Sequence, residues 1–249
     1  MNRFHIIIPA RLEASRLPRK PLVDLAGKPL IVRVLEKAHD CEAMSVHVAT
    51  DSEEIADAVE GAGGDVIMTS RDHRSGTDRL SEATQLLGLA DDAIVVNLQG
   101  DEPDMPPGCV HQVAQLLQQH STASMATLWW PIEEKRDWQD PNVVKLLADS
   151  RGRALYFSRA PVPCQRDGEW PRQQARRHIG LYAYRTDALA AWPDLPSSSL
   201  ESCESLEQLR ALEAGWTIVC AQAESPVPAG IDTPEDVQRY LERHSARRV

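Results

Sequence analysis

"IIIPARLEASRLPRKPL", Ile6–Leu22, runs from a nearly pure apolar strand into a connection that carries Arg11, Arg16, Arg19 and Lys20. A hydrophobic strand, "FHIII", feeding a basic loop is how many α/β proteins present cations to an anion at the carboxyl ends of their strands. The chain as a whole is acidic: 27 Lys plus Arg face 37 Asp plus Glu, a formal net charge of −10. That balance argues against a nucleic-acid polymer as partner, since such binding wants a basic field. The cations of this loop therefore point to a small anion. No GxGxxG follows the strand and no GxxxxGK[ST] occurs, so the usual dinucleotide and P-loop phosphate sites fail. Guanidinium forks and a mobile lysine charge can hold phosphate instead.

Working outward, "SVHVAT", "DVIM" and "AIVVNLQ" read as strands, and "PLIVRVLEKAHD", "DSEEIADAVEGAGG" and "GTDRLSEATQLLG" have helical periodicity. The alternation predicts βαβ units and an α/β fold with a mainly parallel, Rossmann-like sheet flanked by helices. The all-apolar "IVV" predicts a strand covered on both faces. From about Ser124 the pattern changes. "SMATLWW", "NVVKLLAD", "ALYFSR" and "HIGLYAYR" are closely spaced strands, and "PVPCQRDGEWPRQQAR" is an irregular loop. "SLEQLRALEAG" reads as a helix and "WTIVCAQA" as a strand. "TPEDVQRYLERH" reads as a last helix with Thr233 as cap and Pro234 at its first position. The expectation is a single domain, 1–249, with a smaller mixed α/β lobe at about 124–215.

A hydrophobic content of 42% is ordinary for a globular chain. No apolar run approaches the roughly 20 residues needed to span a bilayer, so no membrane partner is expected. The opening "MNRFHIIIPAR" lacks the features of a signal peptide. Five scattered cysteines without a CxxC pair read as reduced thiols, and a cytoplasmic protein is the expectation.

Two acidic points stand out. In "VVNLQGDEP", Asp101 follows a buried strand, where a carboxylate is well placed to hold Mg²⁺ shared with substrate phosphates. Gly-Asp and Glu-Pro are also turn formers, and Gly100 suits either purpose. In "GIDTPED", Asp232 precedes the Thr233 cap and is by itself only a polar residue. If the fold brings Asp101 and Asp232 together, they can bind metal on one triphosphate.

These blocks carry a resemblance. "IIIPARLEASRLPRKPL", "VATD", "SGTDRL", "NLQGDEP", "YFSRAPVP", "RHIGLYAYR", "LEQLR" and "GIDTPED" occur in the order found in the 3-deoxy-manno-octulosonate cytidylyltransferase (CMP-Kdo synthetase) family. The resemblance covers almost the whole chain and implies a nucleotidyltransferase sheet with a sugar-binding, dimerising lobe, hence a homodimer. It implies Mg²⁺-dependent transfer of CMP from CTP to the anomeric hydroxyl of Kdo, with release of pyrophosphate, in bacterial lipopolysaccharide synthesis. By match to the family motifs, Pro9, Ala10, Arg11, Arg16, Lys20, Ser75 and Gly76 bind CTP, and Asp101 and Asp232 bind the metal. Lys20, Arg11 and Asp101 are the expected catalytic residues. Gln99, Arg159, His178, Tyr182, Glu204 and Gln208 match the sugar-acid pocket.

The plain alternatives are a surface histidine at 178 and a core role for one of Tyr182 and Tyr184, which alternate with Leu181 and Ala183 along a strand. Glu204 and Gln208, four apart, would share one face of a helix. The sequence departs from the family at Cys164, where an aromatic residue is common, and at Ala183, where glycine is common. The rival acceptors are 8-amino-Kdo and a sialic acid. A rival of another class is a nucleotide-binding homologue without turnover.

Overall fold

The computed structural model describes residues 4–13, 17–73 and 75–245. The strand that opens the chain, β1 (His5–Ala10), lies parallel to β2 (Ser45–Thr50) on one side and to β4 (Ile94–Asn97) on the other. β3 (Asp65–Met68) continues the parallel set beyond β2. The crossovers carry α1 (Leu30–His39), α2 (Glu53–Glu60) and α3 (Gly76–Leu86). Side-chain alternation explains the layering. Ile6 and Ile8 pack with the apolar stripe of α1, whereas Ile7 packs on the opposite face with Leu80 and Ala83 of α3. Val96 and Val95 of β4 divide in the same way, so both faces of the sheet are dry.

Beyond β4 one strand of the path runs against the others. β8 (Arg176–Arg185) lies antiparallel between β4 and β5 (Met125–Pro131), and β9 (Ile218–Gln222) completes the path parallel to β5. The order along the sheet is β3-β2-β1-β4-β8-β5-β9. β6 (Lys145–Ala148) and β7 (Ala154–Ser158) form an antiparallel hairpin off this path, and β6 touches β8 in register at Lys145 and Arg177. The span 124–215 thus contains two strands of the central sheet as well as this hairpin. The remaining helices are α4 (Pro107–Gln119), α5 (Lys135–Gln139), α6 (Thr186–Ala191), α7 (Ser199–Glu204), α8 (Gln208–Glu213) and α9 (Pro234–Ser245).

One expected helix is corrected. "SLEQLRALEAG" does not start a helix at Ser205: that residue sits in the left-handed region at φ 51° and ends α7, and α8 begins only at Gln208. Glu204 and Gln208 therefore belong to two short helices and do not share one helical face. The last helix behaves as its sequence predicts. The Thr233 hydroxyl accepts from the Asp236 amide at 3.3 Å, while the Asp236 carboxylate accepts from the Thr233 amide at 2.8 Å, a reciprocal cap.

Candidate active site

The carboxyl ends of β1 and β4, the first turn of α3 and the segment before α9 enclose one cleft. Pro9, Ala10, Arg11, Lys20, Ser75, Gly76, Gln99, Asp101 and Asp232 all line it. Local chemistry sets each wall. Gly100 lets β4's extension press against β1, because a Cβ there would stand 3.0 Å from the Pro9 carbonyl oxygen. Ser75 caps α3 by accepting from the Asp78 amide at 3.1 Å, so the amides of that first turn face the cleft end of the helix. Helix amino termini of this kind favour anions.

Lys20 stands at the start of a one-turn 3₁₀ helix, Lys20–Leu22, stiffened by Pro21. Its Nζ donates to Asp101 Oδ2 at 2.6 Å and to Asp232 Oδ1 at 3.0 Å. Residues 81 and 212 positions apart in sequence thereby converge on one ammonium. Burial alone would lower the lysine's pKa; the two carboxylates outweigh it and hold Lys20 above its ordinary value. Asp232 is placed by its own helix, since the Asp236 carboxylate also accepts from the Asp232 amide at 3.0 Å. Next to Asp101, Glu102 is pushed up to about 8 by burial and by the Asp101 charge.

The sugar-acid candidates form a second group. The Arg159 guanidinium donates to the carbonyls of Glu204 at 2.7 Å, Pro141 at 2.9 Å and Ser205 at 3.3 Å. The Glu204 carboxylate in turn accepts from the Ser158 hydroxyl at 2.6 Å and the Arg159 amide at 2.8 Å. Arg159 and Glu204 are thus clasped together, and with three of its five N–H groups committed the guanidinium keeps two for any ligand. His178 lies on β8 with Nε2 3.2 Å from Thr127 Oγ1 and its ring edge-on to Phe157, centroids 5.0 Å apart. Burial, helped by the Arg177 charge, pushes it down to about 3, so the ring is neutral at ordinary pH. It is a partly buried strand residue packed among Phe157 and Tyr182. Tyr182 stacks between His178 and Tyr184 and is buried, as is Tyr184.

The Tyr182 hydroxyl, Asn97 Oδ1 and Gln208 Nε2 are among the buried polar atoms without a hydrogen-bond partner among the described residues. Asn97 faces Tyr182 directly across β4 and β8. Buried polar groups are ordinarily paired, so the facing Asn97 and Tyr182 suit a ligand that brings hydroxyls.

The placement differs from expectation at several points. Arg16 lies outside the described residues. Arg19 turns from the cleft to pair with Glu54 of α2, which leaves Arg11 and Lys20 as the described cations of the loop that line it. Gln99, expected with the sugar-acid residues, lines the same cleft as Lys20.

Sequence reasoning missed Arg79, the buried Asn97 opposite Tyr182, and Glu207. Arg79 lines the cleft, buried, and is held by Thr69 and by Asp51 at 2.9 Å. Its signal was the acidic end of "VATD", where a carboxylate at a strand end calls for a cation. Burial raises the Glu207 carboxyl above the usual range against the pull of the Ser75 and Thr77 hydroxyls. It therefore joins α8 to the first turn of α3, and its one-residue offset from Gln208 was the available signal.

Comparisons with known proteins bear on this arrangement. A family model described as Cytidylyltransferase matches residues 5–219. The 3-deoxy-manno-octulosonate cytidylyltransferase of Cellvibrio japonicus is 48% identical over 250 residues, covering 95% of this chain and 96% of its own. The chain belongs to the 3-deoxy-manno-octulosonate cytidylyltransferase family. The enzyme of that name from Saccharophagus degradans is 49% identical, with 95% and 96% covered. Among solved structures, a CMP:2-keto-3-deoxy-manno-octonic acid synthetase complexed with CTP superposes with a TM-score of 0.91 at 40% identity, over 98% of this chain and 99% of that one. A cytidylyltransferase from Leptospira borgpetersenii shares the fold alone, at 16% identity and a TM-score of 0.62 over 99% and 88%. As in other members of this cytidylyltransferase family, the α/β sheet is mostly parallel and flanked by helices.

Proposed function

We propose that this chain transfers CMP from CTP to the anomeric hydroxyl of Kdo and releases pyrophosphate. Its membership of the family supports the reaction. The observation that carries the reading is Lys20 between Asp101 and Asp232 at the end of the parallel sheet. In this reading the triphosphate enters the cleft over Arg11 and Lys20, against the first turn of α3. The sugar hydroxyl forms a new bond to the α-phosphorus as the bond to the pyrophosphate oxygen breaks. Charge grows on the departing pyrophosphate, and the fixed ammonium of Lys20 and the guanidinium of Arg11 meet it there. The lobe orients the acceptor: Gln208, Tyr182 and Asn97 offer unpaired donors and acceptors to its hydroxyls. The two uncommitted N–H groups of Arg159 are available to its carboxylate.

The donor set fits Mg²⁺. Among the described residues no three His, Cys, Asp or Glu side chains group to hold a metal alone. Asp101 and Asp232 converge as two hard oxygen donors, which is the partial set Mg²⁺ uses when substrate phosphates and water complete its shell. When bound there, the ion would neutralise phosphate charge. No described helix is long and apolar enough to cross a membrane, and a cytoplasmic homodimer is part of this reading.

The test is pyrophosphate release with CTP and Mg²⁺, with Kdo set against 8-amino-Kdo and a sialic acid. Kdo should give the highest kcat/KM. A preference for another acid moves the assignment to that acid, and no release with any of them leaves the nucleotide-binding homologue without turnover. Sedimentation of the purified protein should give twice the chain mass.

A further inference from the structure

Lys145 is a further group that no expectation touched. It is the one lysine among the described residues with no exposure at all, yet it carries a charge, and burying an ammonium is expensive unless every proton finds an acceptor. Here each does. Nζ donates to the carbonyl oxygens of Asp140 at 2.8 Å, Val143 at 2.5 Å and Arg159 at 2.8 Å. None of the three acceptors is a carboxylate, so the lysine is not half of an ion pair; it is a three-way tie between backbone segments. Burial lowers its pKa, while the charges of Asp140 and Glu204 pull the other way.

What the tie holds is specific. One arm grips the residue whose guanidinium reaches Pro141, Glu204 and Ser205. The other two grip the turn on either side of Pro141. Lys145 and Arg159 together therefore fix the 140–143 turn, the end of β7 and the junction of α7 with α8 against one another. The same β6 residue sits opposite Arg177 of β8, and the His178 amide donates to the Val144 carbonyl at 2.8 Å. The frame that carries Arg159, Glu204 and His178 is thus cross-linked at one buried ammonium.

We infer that Lys145 is a positioning residue for the acceptor side of the site: it touches no substrate and holds the Arg159–Glu204 clasp in the geometry that receives the sugar acid. The inference rests on the proposed reaction, and its test separates the two. Lys145→Met keeps an unbranched side chain one atom shorter and removes all three donors. Steady-state kinetics with each substrate varied in turn should show the KM for the sugar acid raised at least about tenfold, as small misplacements of a binding group do, while the KM for CTP stays within about twofold. Hydrogen exchange on the same protein should show lost protection at 140–143, 158–160 and 204–206, with β1, β4 and α3 unchanged.

Equal damage to both substrates, or exchange that rises throughout, would reduce Lys145 to a stabiliser of the fold and overturn the proposal. Normal kinetics and normal exchange overturn it as well. Should Lys145→Met fail to fold, Lys145→Arg keeps the charge but misplaces the donors, and the same split between substrates is required of it. If the wild-type chain turns over no sugar acid, the reaction is lost. The clasp then stands or falls on the exchange pattern alone.

Discussion

Lys20 and Asp101 lie in one hydrogen bond but should fail differently when changed. Lys20→Ala removes the cation that meets charge developing on pyrophosphate, an interaction stronger in the transition state than in the ground state. kcat should fall by roughly a hundredfold, the scale seen when one preorganised donor is lost, with the KM for CTP little altered. If only the CTP KM rises, Lys20 is a ground-state anchor. Asp101→Asn keeps volume and removes charge, so the protein should fold normally and lose nearly all turnover. Raising Mg²⁺ should recover part of that loss if Asp101 is a metal donor, and near-normal activity at low Mg²⁺ would remove it from the reaction. At this scale the sequence was readable where chemistry is declared by residue type, as in the pair Asp101 and Lys20. It was unreadable where a side chain's partners are backbone carbonyls: nothing in "NVVKLLAD" marks Lys145 as buried, and nothing in "YFSRAP" says that Arg159 spends three N–H groups within the protein.

The elements place these residues, and α9 shows how. The Asp236 carboxylate gathers the amides of Asp232 and Thr233 and the Thr233 hydroxyl, at 3.0, 2.8 and 2.9 Å. Burial opposes ionisation there, yet the gathered bonds hold the carboxylate below its usual range. Asp236→Ala should cost about 1 kcal/mol of stability, as loss of a helix cap does. It should also lower kcat with Asp232 itself intact, because the backbone that aims Asp232 is released. Denaturant unfolding and kinetics on one preparation would decide it, and a stability loss with unchanged kcat would confine Asp236 to capping. "GIDTPED" announced this element plainly, since Thr-Pro followed by acids is a helix start in any context. α4 announced itself less well: "PPGCVHQVAQLLQQ" opens on Pro-Pro-Gly, which reads as a turn before it reads as a first helical turn. The break between α7 and α8 was also hidden, since Ser205 takes φ 51° at a position where no glycine announces it.

In the whole molecule, local pattern and long-range pairing divide the credit. The βαβ half was legible because short apolar runs there alternate with amphipathic helices, and side-chain alternation alone sends Ile7 to one core and Ile6 with Ile8 to the other. The insertion of β8 between β4 and β5 was not, because it joins strands far apart along the chain and reverses direction. That antiparallel strand also carries the group that should govern acid stability. Folded His178 is held down to about 3 by burial, whereas an unfolded histidine titrates near 6.5. Below about 6.5 the unfolded chain takes up a proton that the folded chain refuses, so the unfolded state binds more protons and stability falls as pH drops towards 3. Above 6.5 both states are neutral at this ring and the effect vanishes. His178→Gln keeps a polar side chain that does not titrate. The gap in melting temperature between the variant and the wild type should therefore be constant above pH 7 and shift in favour of glutamine steadily between pH 6.5 and 4. A gap that stays the same across that window would mean that His178 is hydrated and takes its proton in the folded state, and that the acid limb belongs to the carboxylates instead.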